Sequence, residues 1–245
     1  MDKRQTAWFV IALIICAGVL VYGHLYQGPK EVVQPQGGSG KAVGPERKVR
    51  SWEGGGTTVT LYEQDLVVAN DPPFQGPAQE QILKAKSAHS PETVLGRYES
   101  GQNYGRTVED VSISPLGTYV TAEVLGYESR STEIYIASTG ELIIEGSVKT
   151  PYWTSDEKKV ALIQADASID GTPAAFYYSN TGDLKNTILL KEFAAADYTL
   201  RRVVQKGNLL TITVATNGDE PPREENYLLN LQTGALTVST PPRGS

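Results

Sequence analysis

Apolar residues are spaced in two ways along the chain. From Ala7 to Leu25 they run almost without interruption, AWFVIALIICAGVLVYGHL, nineteen residues with no Asp, Glu, Lys or Arg. As a helix rising about 1.5 Å per residue the run reaches roughly 28 Å, close to the ~30 Å hydrocarbon core of a bilayer. We therefore expect a transmembrane helix at 7–25. Trp8 at one end and Tyr22 and Tyr26 at the other suit the membrane interfaces. A cleaved signal peptide wants a shorter apolar core and a small-x-small exit, and Val21-Tyr22-Gly23-His24 is a poor one. A lipoprotein wants a small residue before the modified cysteine, where Ile15 precedes Cys16. Lys3 and Arg4 lie before the run, and Lys30 is the first cation after it. That balance favours a cytoplasmic N-terminus at 1–6 and a single-pass protein with its bulk outside the cytoplasm.

After the run the pattern changes. Residues 26–56 are rich in Gly, Pro and Gln with little periodicity, which predicts a flexible linker. In Thr57–Asn70 the residues Val59, Leu61, Leu66 and Val68 alternate as half-buried strands do, with a join near Glu63-Gln64-Asp65. Asp71 to Pro77 breaks the pattern. Pro77 then suits the first turn of one short soluble helix through Gln79, Ile82, Leu83 and Lys86, which stops by Ser90-Pro91.

From Val108 a unit recurs three times: strand, tight turn, strong apolar strand, variable loop, strand, a turn ending in Thr-Gly, and a last strand. The early turns are Pro115-Leu116-Gly117, Ser155-Asp156-Glu157 and Gln205-Lys206-Gly207. The late turns are Ser138-Thr139-Gly140, Asn180-Thr181-Gly182 and Gln232-Thr233-Gly234, where a glycine suits a left-handed position. Four strands per repeat of roughly 40–50 residues is the mark of propeller blades. Ile113-Ser114-Pro115-Leu116-Gly117-Thr118-Tyr119-Val120, Ile134 to Leu142, and Trp153 to Val160 resemble the blade pattern of TolB-like and WD40-like propellers. Leu116 stands where those families usually carry Asp, and the third unit lacks Ser-Pro-Asp-Gly. The expected fold class for 57–245 is all-β, a propeller-like array of four-stranded antiparallel blades, incomplete or open. Only three units are clear and closed propellers need about four, so the Thr57–Asn70 hairpin is a partial extra blade or the open edge calls for a partner.

Charge and composition narrow the chemistry. The first 56 residues carry +3 and the remainder −9, which disfavours nucleic acid, because phosphate contacts need clustered Lys and Arg. Cys16 is the only cysteine, so the domain has neither a disulfide nor a thiol nucleophile. The two histidines, His24 and His89, supply neither a triad with its nucleophile elbow nor a zinc set. The acidic loops around Asp166–Gly171 and Asn217–Glu225 lack the alternating ligand spacing of a calcium hairpin. No cofactor or metal is expected. Tyr and Trp are favoured interface anchors, so the candidate interaction residues are Tyr127, Trp153, Asp170, Asp219 and Glu220.

These features lead to the expectation of a membrane-anchored extracytoplasmic protein-binding or assembly module of the cell envelope, without catalysis. Its expected partners are the membrane and other envelope proteins, a second copy of the chain among them. Two other classes stay open: an envelope hydrolase using paired carboxylates, and a sensor coupled through the helix.

Overall fold

The structure, a computed structural model, describes residues 41–67, 78–88, 90–100, 105–126, 129–165, 174–193, 198–216 and 223–239. The expected transmembrane helix lies outside them; among the described residues no helix is long and apolar enough to cross a membrane.

Among the described residues sixteen strands form four sheets of four, each an antiparallel meander in chain order. Sheet 1 holds β1 (Lys41–Gly54), β2 (Thr57–Val67), β3 (Ala78–Ser87) and β4 (Thr93–Ser100). Sheet 2 holds β5 (Thr107–Ile113), β6 (Tyr119–Leu125), β7 (Arg130–Ile136) and β8 (Leu142–Ser147). Sheet 3 holds β9 (Lys149–Trp153), β10 (Lys159–Gln164), β11 (Ala175–Asn180) and β12 (Ile188–Glu192). Sheet 4 holds β13 (Tyr198–Lys206), β14 (Leu209–Thr216), β15 (Glu224–Asn230) and β16 (Leu236–Ser239). The three expected units are sheets 2, 3 and 4.

Sheet 1 corrects the reading of the first hundred residues. The expected linker contains β1, which pairs with β2 from Lys41↔Val67 to Gly54↔Thr57 with two irregularities. Those irregularities break the alternation that would have marked a strand. Thr57–Val67 is one strand, not two. The expected soluble helix is β3, a strand paired on both sides. Its Gln, Glu, Lys and Ala are helix formers, but Leu83 and Ala85 pack into the core beside Leu61 and Val59, and that burial overrides propensity.

A single meander cannot bury both its faces, so the sheets stack. Three apolar clusters make the joints. Val59, Leu61, Leu83, Val111, Val120 and Ala122 join sheets 1 and 2. Ile134, Trp153, Val160 and Leu162 join sheets 2 and 3. Ile163, Phe176, Ile212, Tyr227 and Leu229 join sheets 3 and 4, with Phe176, Phe193 and Tyr227 packed edge to face. Among the described residues no apolar cluster joins sheet 4 to sheet 1.

Its two end faces are polar. On sheet 1, Tyr62, Ile82 and Arg97 pair on the face opposite Leu61 and Leu83. There Lys84 meets Glu46 at 2.5 Å and the Tyr62 ring at 4.7 Å, and Arg97 meets Glu80 at 2.8 Å. On sheet 4, Thr213 donates to Asn226 at 2.7 Å on the face opposite Ile212 and Tyr227. Terminal sheets with polar outer faces cap a stacked array.

Hydrogen bonds at the turns repeat at each joint. Thr57 Oγ1 donates to Gly117 O at 3.0 Å, Leu116 N to Glu157 Oε1 at 2.5 Å, and Gln205 Nε2 to Trp153 O at 2.8 Å. All three early turns place their third residue in the left-handed region: Gly117 at φ 77°, Glu157 at 51° and Gly207 at 58°. Gly140 and Gly234 fill the same role in the late turns, whereas Gly182 sits in a short 3-10 turn, Thr181–Asp183.

The Gly55-Gly56 turn allows a paired prediction. Both residues have positive φ, but a Cβ on Gly55 would overlap the Leu116–Gly117 backbone, while one on Gly56 meets nothing within 4 Å. Urea unfolding should show Gly56→Ala losing about 1 kcal/mol from backbone strain alone. Gly55→Ala should lose about 3 kcal/mol or more because it also forces the turns apart. Equal losses would mean that the turn-on-turn contact contributes nothing.

Candidate functional site: a hydroxyl-lined cleft at the turn rim

Because every sheet is a meander, the first–second and third–fourth turns of all four sheets lie at one rim. Between sheets 1 and 2 that rim opens into a cleft of about 360 Å³. Gly55, Gly56 and Thr57 form one wall, Leu116, Gly117 and Thr118 the facing one, and Ser87, Ala88, Ser90 and Ser138 complete it.

Local chemistry holds the walls. Thr57 is buried, bonded to Gly117 O and sharing a 2.9 Å hydrogen bond with Ser87 Oγ. Ala88 N donates to Gly56 O at 3.2 Å, and Ala137 N to Thr118 O at 2.9 Å. The side chains of Ser90, Thr118 and Ser138 make no hydrogen bond among the described residues. Leu116 stands at the edge, 58% exposed, with its N–H held by Glu157. Glu157 is itself buried, and its Oε2 has no hydrogen-bond partner among the described residues. Among the described residues the lining contains no ionisable and no aromatic side chain; His89, between Ala88 and Ser90 in sequence, is not one of them. The described lining offers hydroxyls, backbone and one apolar contact.

The strongest electrostatic feature lies deeper, between sheets 1 and 2. Glu133 is 2% exposed. Its carboxylate accepts from Tyr98 Oη at 2.6 Å, from Tyr135 Oη and from Arg106 Nη2, and the two tyrosine hydroxyls are 2.9 Å apart. Arg106 also reaches Glu145 at 3.3 Å. Burial first, and then the neighbouring hydroxyl and carboxylate, push Tyr98 well above the usual phenol range. Burial and Glu133 do the same for Tyr135. A tyrosine nucleophile needs the opposite shift, since it must ionise to attack. These phenols stay neutral and donate to Glu133, so the cluster ties sheet 1 to sheet 2. Gly96 makes room for it, because a Cβ there would press on both hydroxyls.

Lys149 is a different case. Its ammonium lies 4.5 Å from the Tyr177 ring centroid, with no carboxylate partner among the described residues, and burial pushes its pKa down. Among the described residues no group of three His, Cys, Asp or Glu could hold a metal ion.

Of the five expected interaction residues, only Trp153 is described. It is 7% exposed and stacks on Tyr119 at 4.7 Å and 9°. It therefore packs the joint of sheets 2 and 3 rather than offering a surface anchor. Tyr127, Asp170, Asp219 and Glu220 lie outside the described residues, as does His89. The cleft and the Glu133 cluster escaped the sequence reading. A charge inside the strand Ser131-Thr132-Glu133-Ile134-Tyr135 was the one available signal for Glu133. The cleft had none, because its walls come from turns up to 83 residues apart.

No family model matches the chain, and no curated protein matches it. Solved structures do. The β-propeller domain of the trilobed protease from Pyrococcus furiosus, described as having an open velcro topology, aligns with a TM-score of 0.42 and 13% identity over 80% of this chain and 57% of that one. An acylaminoacyl peptidase in complex with a chloromethyl ketone aligns at 0.44 and 11%, and the Pyrococcus horikoshii acylaminoacyl peptidase at 0.44 and 9%, each over 80% of this chain and 32% of that one. The chain thus spans between a third and three fifths of these proteins. The coarse statement that holds is an all-β array of four-stranded, propeller-like sheets.

The expectation of a non-catalytic assembly module of the envelope is corrected by these neighbours, which are peptidases and the propeller domain of one. A fold of this kind does not by itself decide between binding and catalysis.

The Glu133 cluster gives a pH prediction. A phenol whose folded pKa is raised stabilises the fold fully below its unfolded value, about 10, and that contribution is lost as pH rises toward the folded value. Stability measured by urea unfolding should therefore fall above about pH 10, and less steeply in Tyr98→Phe/Tyr135→Phe. Glu133→Ala should cost about 3 kcal/mol at neutral pH by removing the buried carboxylate that Arg106 and the two hydroxyls share as acceptor. An unchanged alkaline slope in the double variant would remove the cluster from this role.

Proposed function

We propose that this domain recognises a ligand at its turn rim, in the cleft between sheets 1 and 2. The ligand class is uncharged and rich in hydrogen-bonding groups. The observation that carries the reading is the described lining: three hydroxyls without side-chain hydrogen bonds, bared glycine backbone and one exposed leucine around about 360 Å³, with no ionisable group among the described residues. That volume is at the small end of ordinary ligand pockets. A charged ligand would lose its hydration there without meeting a counter-charge from the described lining. Neither an envelope setting nor an absence of catalysis belongs to this proposal.

The test is a thermal-shift screen of the full chain with blocked dipeptides and with mono- and disaccharides, repeated on Thr118→Trp, which fills the cleft from an exposed position. A ligand at 100 times its Kd should stabilise by about 2.7 kcal/mol and raise Tm by roughly 5–11 °C. The shift should vanish in the filled variant. No shift with any neutral ligand, or an equal shift in both proteins, overturns the site.

Two finer assignments rest on sequence alone. We propose that the units are blades of the TolB-like or WD40-like kind, supported by the Ser114-Pro115-Leu116-Gly117 turn and the Thr-Gly turns. We also propose that residues 7–25 tether the chain to a membrane, supported by the length of the uncharged run. Alkaline extraction of membranes should leave the full chain in the pellet and release a chain lacking 7–25. Release of the full chain overturns the tether.

A further inference from the structure

Glu157 carries three costs that its counterparts in the other turns avoid. It is the one non-glycine residue with positive φ among the described residues, at 51°. An L side chain in the left-handed region is strained. The residue is 5% exposed, so its carboxylate has left water. Its Oε2 has no hydrogen-bond partner among the described residues. At the same turn position sheets 2 and 4 carry Gly117 and Gly207. Their joints still have a hydrogen bond between turns, donated by Thr57 of β2 and Gln205 of β13. A joint of this kind therefore does not require a strained, buried carboxylate.

What Glu157 does that a glycine could not is hold Leu116. Its Oε1 accepts from Leu116 N at 2.5 Å, in the middle of the Ser114-Pro115-Leu116-Gly117 turn. The neighbouring Gly117 O is held from the other side by Thr57 Oγ1 at 3.0 Å. One wall of the cleft is thus fixed from sheet 3 and from sheet 1 at once, although Glu157 does not itself line it. The side chain kept in place is Leu116, at 58% the most exposed leucine among the described residues. Resting on the reading of the cleft as a ligand site, we propose that Leu116 selects ligands with an apolar group and that Glu157 is its positioning residue. The ligand class narrows to an uncharged amide with a branched aliphatic side chain. Each peptide group brings one donor and one acceptor to the hydroxyls of Ser90, Thr118 and Ser138. The aliphatic group meets Leu116, and both leave water. A turn that had to be ordered on binding would cost affinity, and Glu157 orders it beforehand.

The experiment titrates the full chain, in mild detergent, with two uncharged and nearly isosteric probes, N-acetyl-leucine methylamide and N-acetyl-asparagine methylamide. The parent should bind the leucine probe about tenfold more tightly. Leu116→Asn, an exposed change, should abolish that preference. Glu157→Gly should weaken the leucine probe about tenfold and speed hydrogen exchange in the turn at 114–118. Glu157→Gln keeps an acceptor there and should restore both. A purely structural Glu157 would instead give Glu157→Gly a lower Tm with affinity and preference unchanged, which overturns the proposal. Equal binding of the two probes by the parent, or a preference that survives in Leu116→Asn, overturns it as well. If Glu157→Gly does not fold, Leu116→Asn and Glu157→Gln decide alone, and a loss of affinity in Glu157→Gln as large as in Leu116→Asn counts against the hold on Leu116 N. Failure of the cleft itself looks different: the probes then bind Thr118→Trp as they bind the parent. If neither probe binds while a saccharide stabilises the parent and not Thr118→Trp, the cleft stands and this ligand class is overturned.

Discussion

Stacking of narrow sheets is the constraint on which the rest of this structure depends. A four-stranded meander has two faces and no means of burying both. Each apolar face must therefore meet the next sheet, and three joints carry the core: Leu83 and Val120 in the first, Trp153 and Leu162 in the second, Phe176 and Ile212 in the third. Removing apolar area from water is non-directional and sets no spacing by itself. The hydrogen bonds between turns supply the direction. Thr57 with Gly117, Leu116 with Glu157 and Gln205 with Trp153 fix how far one sheet slides past the next.

That division of labour explains where strain and unsatisfied groups collect. Glu157 holds a positive φ without being glycine, and one of its buried oxygens is unpaired among the described residues. Both costs fall on the residue whose other oxygen holds the neighbouring turn. Gly55 and Gly117 meet the same demand without side chains, and their close approach leaves the cleft beside them. The joint between sheets 1 and 2 is different because it buries a charge. Glu133 is tolerated there since two phenols and a guanidinium satisfy it, and removing any one of them exposes the others to the desolvation cost.

The faces of sheets 1 and 4 turned away from these joints follow the opposite rule. They carry Lys84, Arg97, Thr213 and Asn226, paired with Glu46, Glu80 and one another rather than with apolar neighbours.

The chain itself determined sheets 2 to 4. Alternating Val, Ile and Tyr between tight turns is a local pattern, and Gly117, Gly140, Gly207 and Gly234 mark left-handed positions that few other residues accept. Sheet 1 was not legible, because its signals are not local. β1 is broken by irregularities and surrounded by Gly and Pro, and β3 is made of helix formers that become a strand only by pairing on both sides. Trp153 was visible as an aromatic beside a turn, but whether it faced solvent or Tyr119 depended on a strand more than thirty residues earlier. The same holds for the cleft and for Glu133. Their partners come from different sheets, and sequence spacing records neighbours along the chain. Only the stacking of the sheets brings Thr57 to Gly117 and Tyr98 to Glu133, because that contact is set by burial of apolar faces rather than by any local preference of the residues involved.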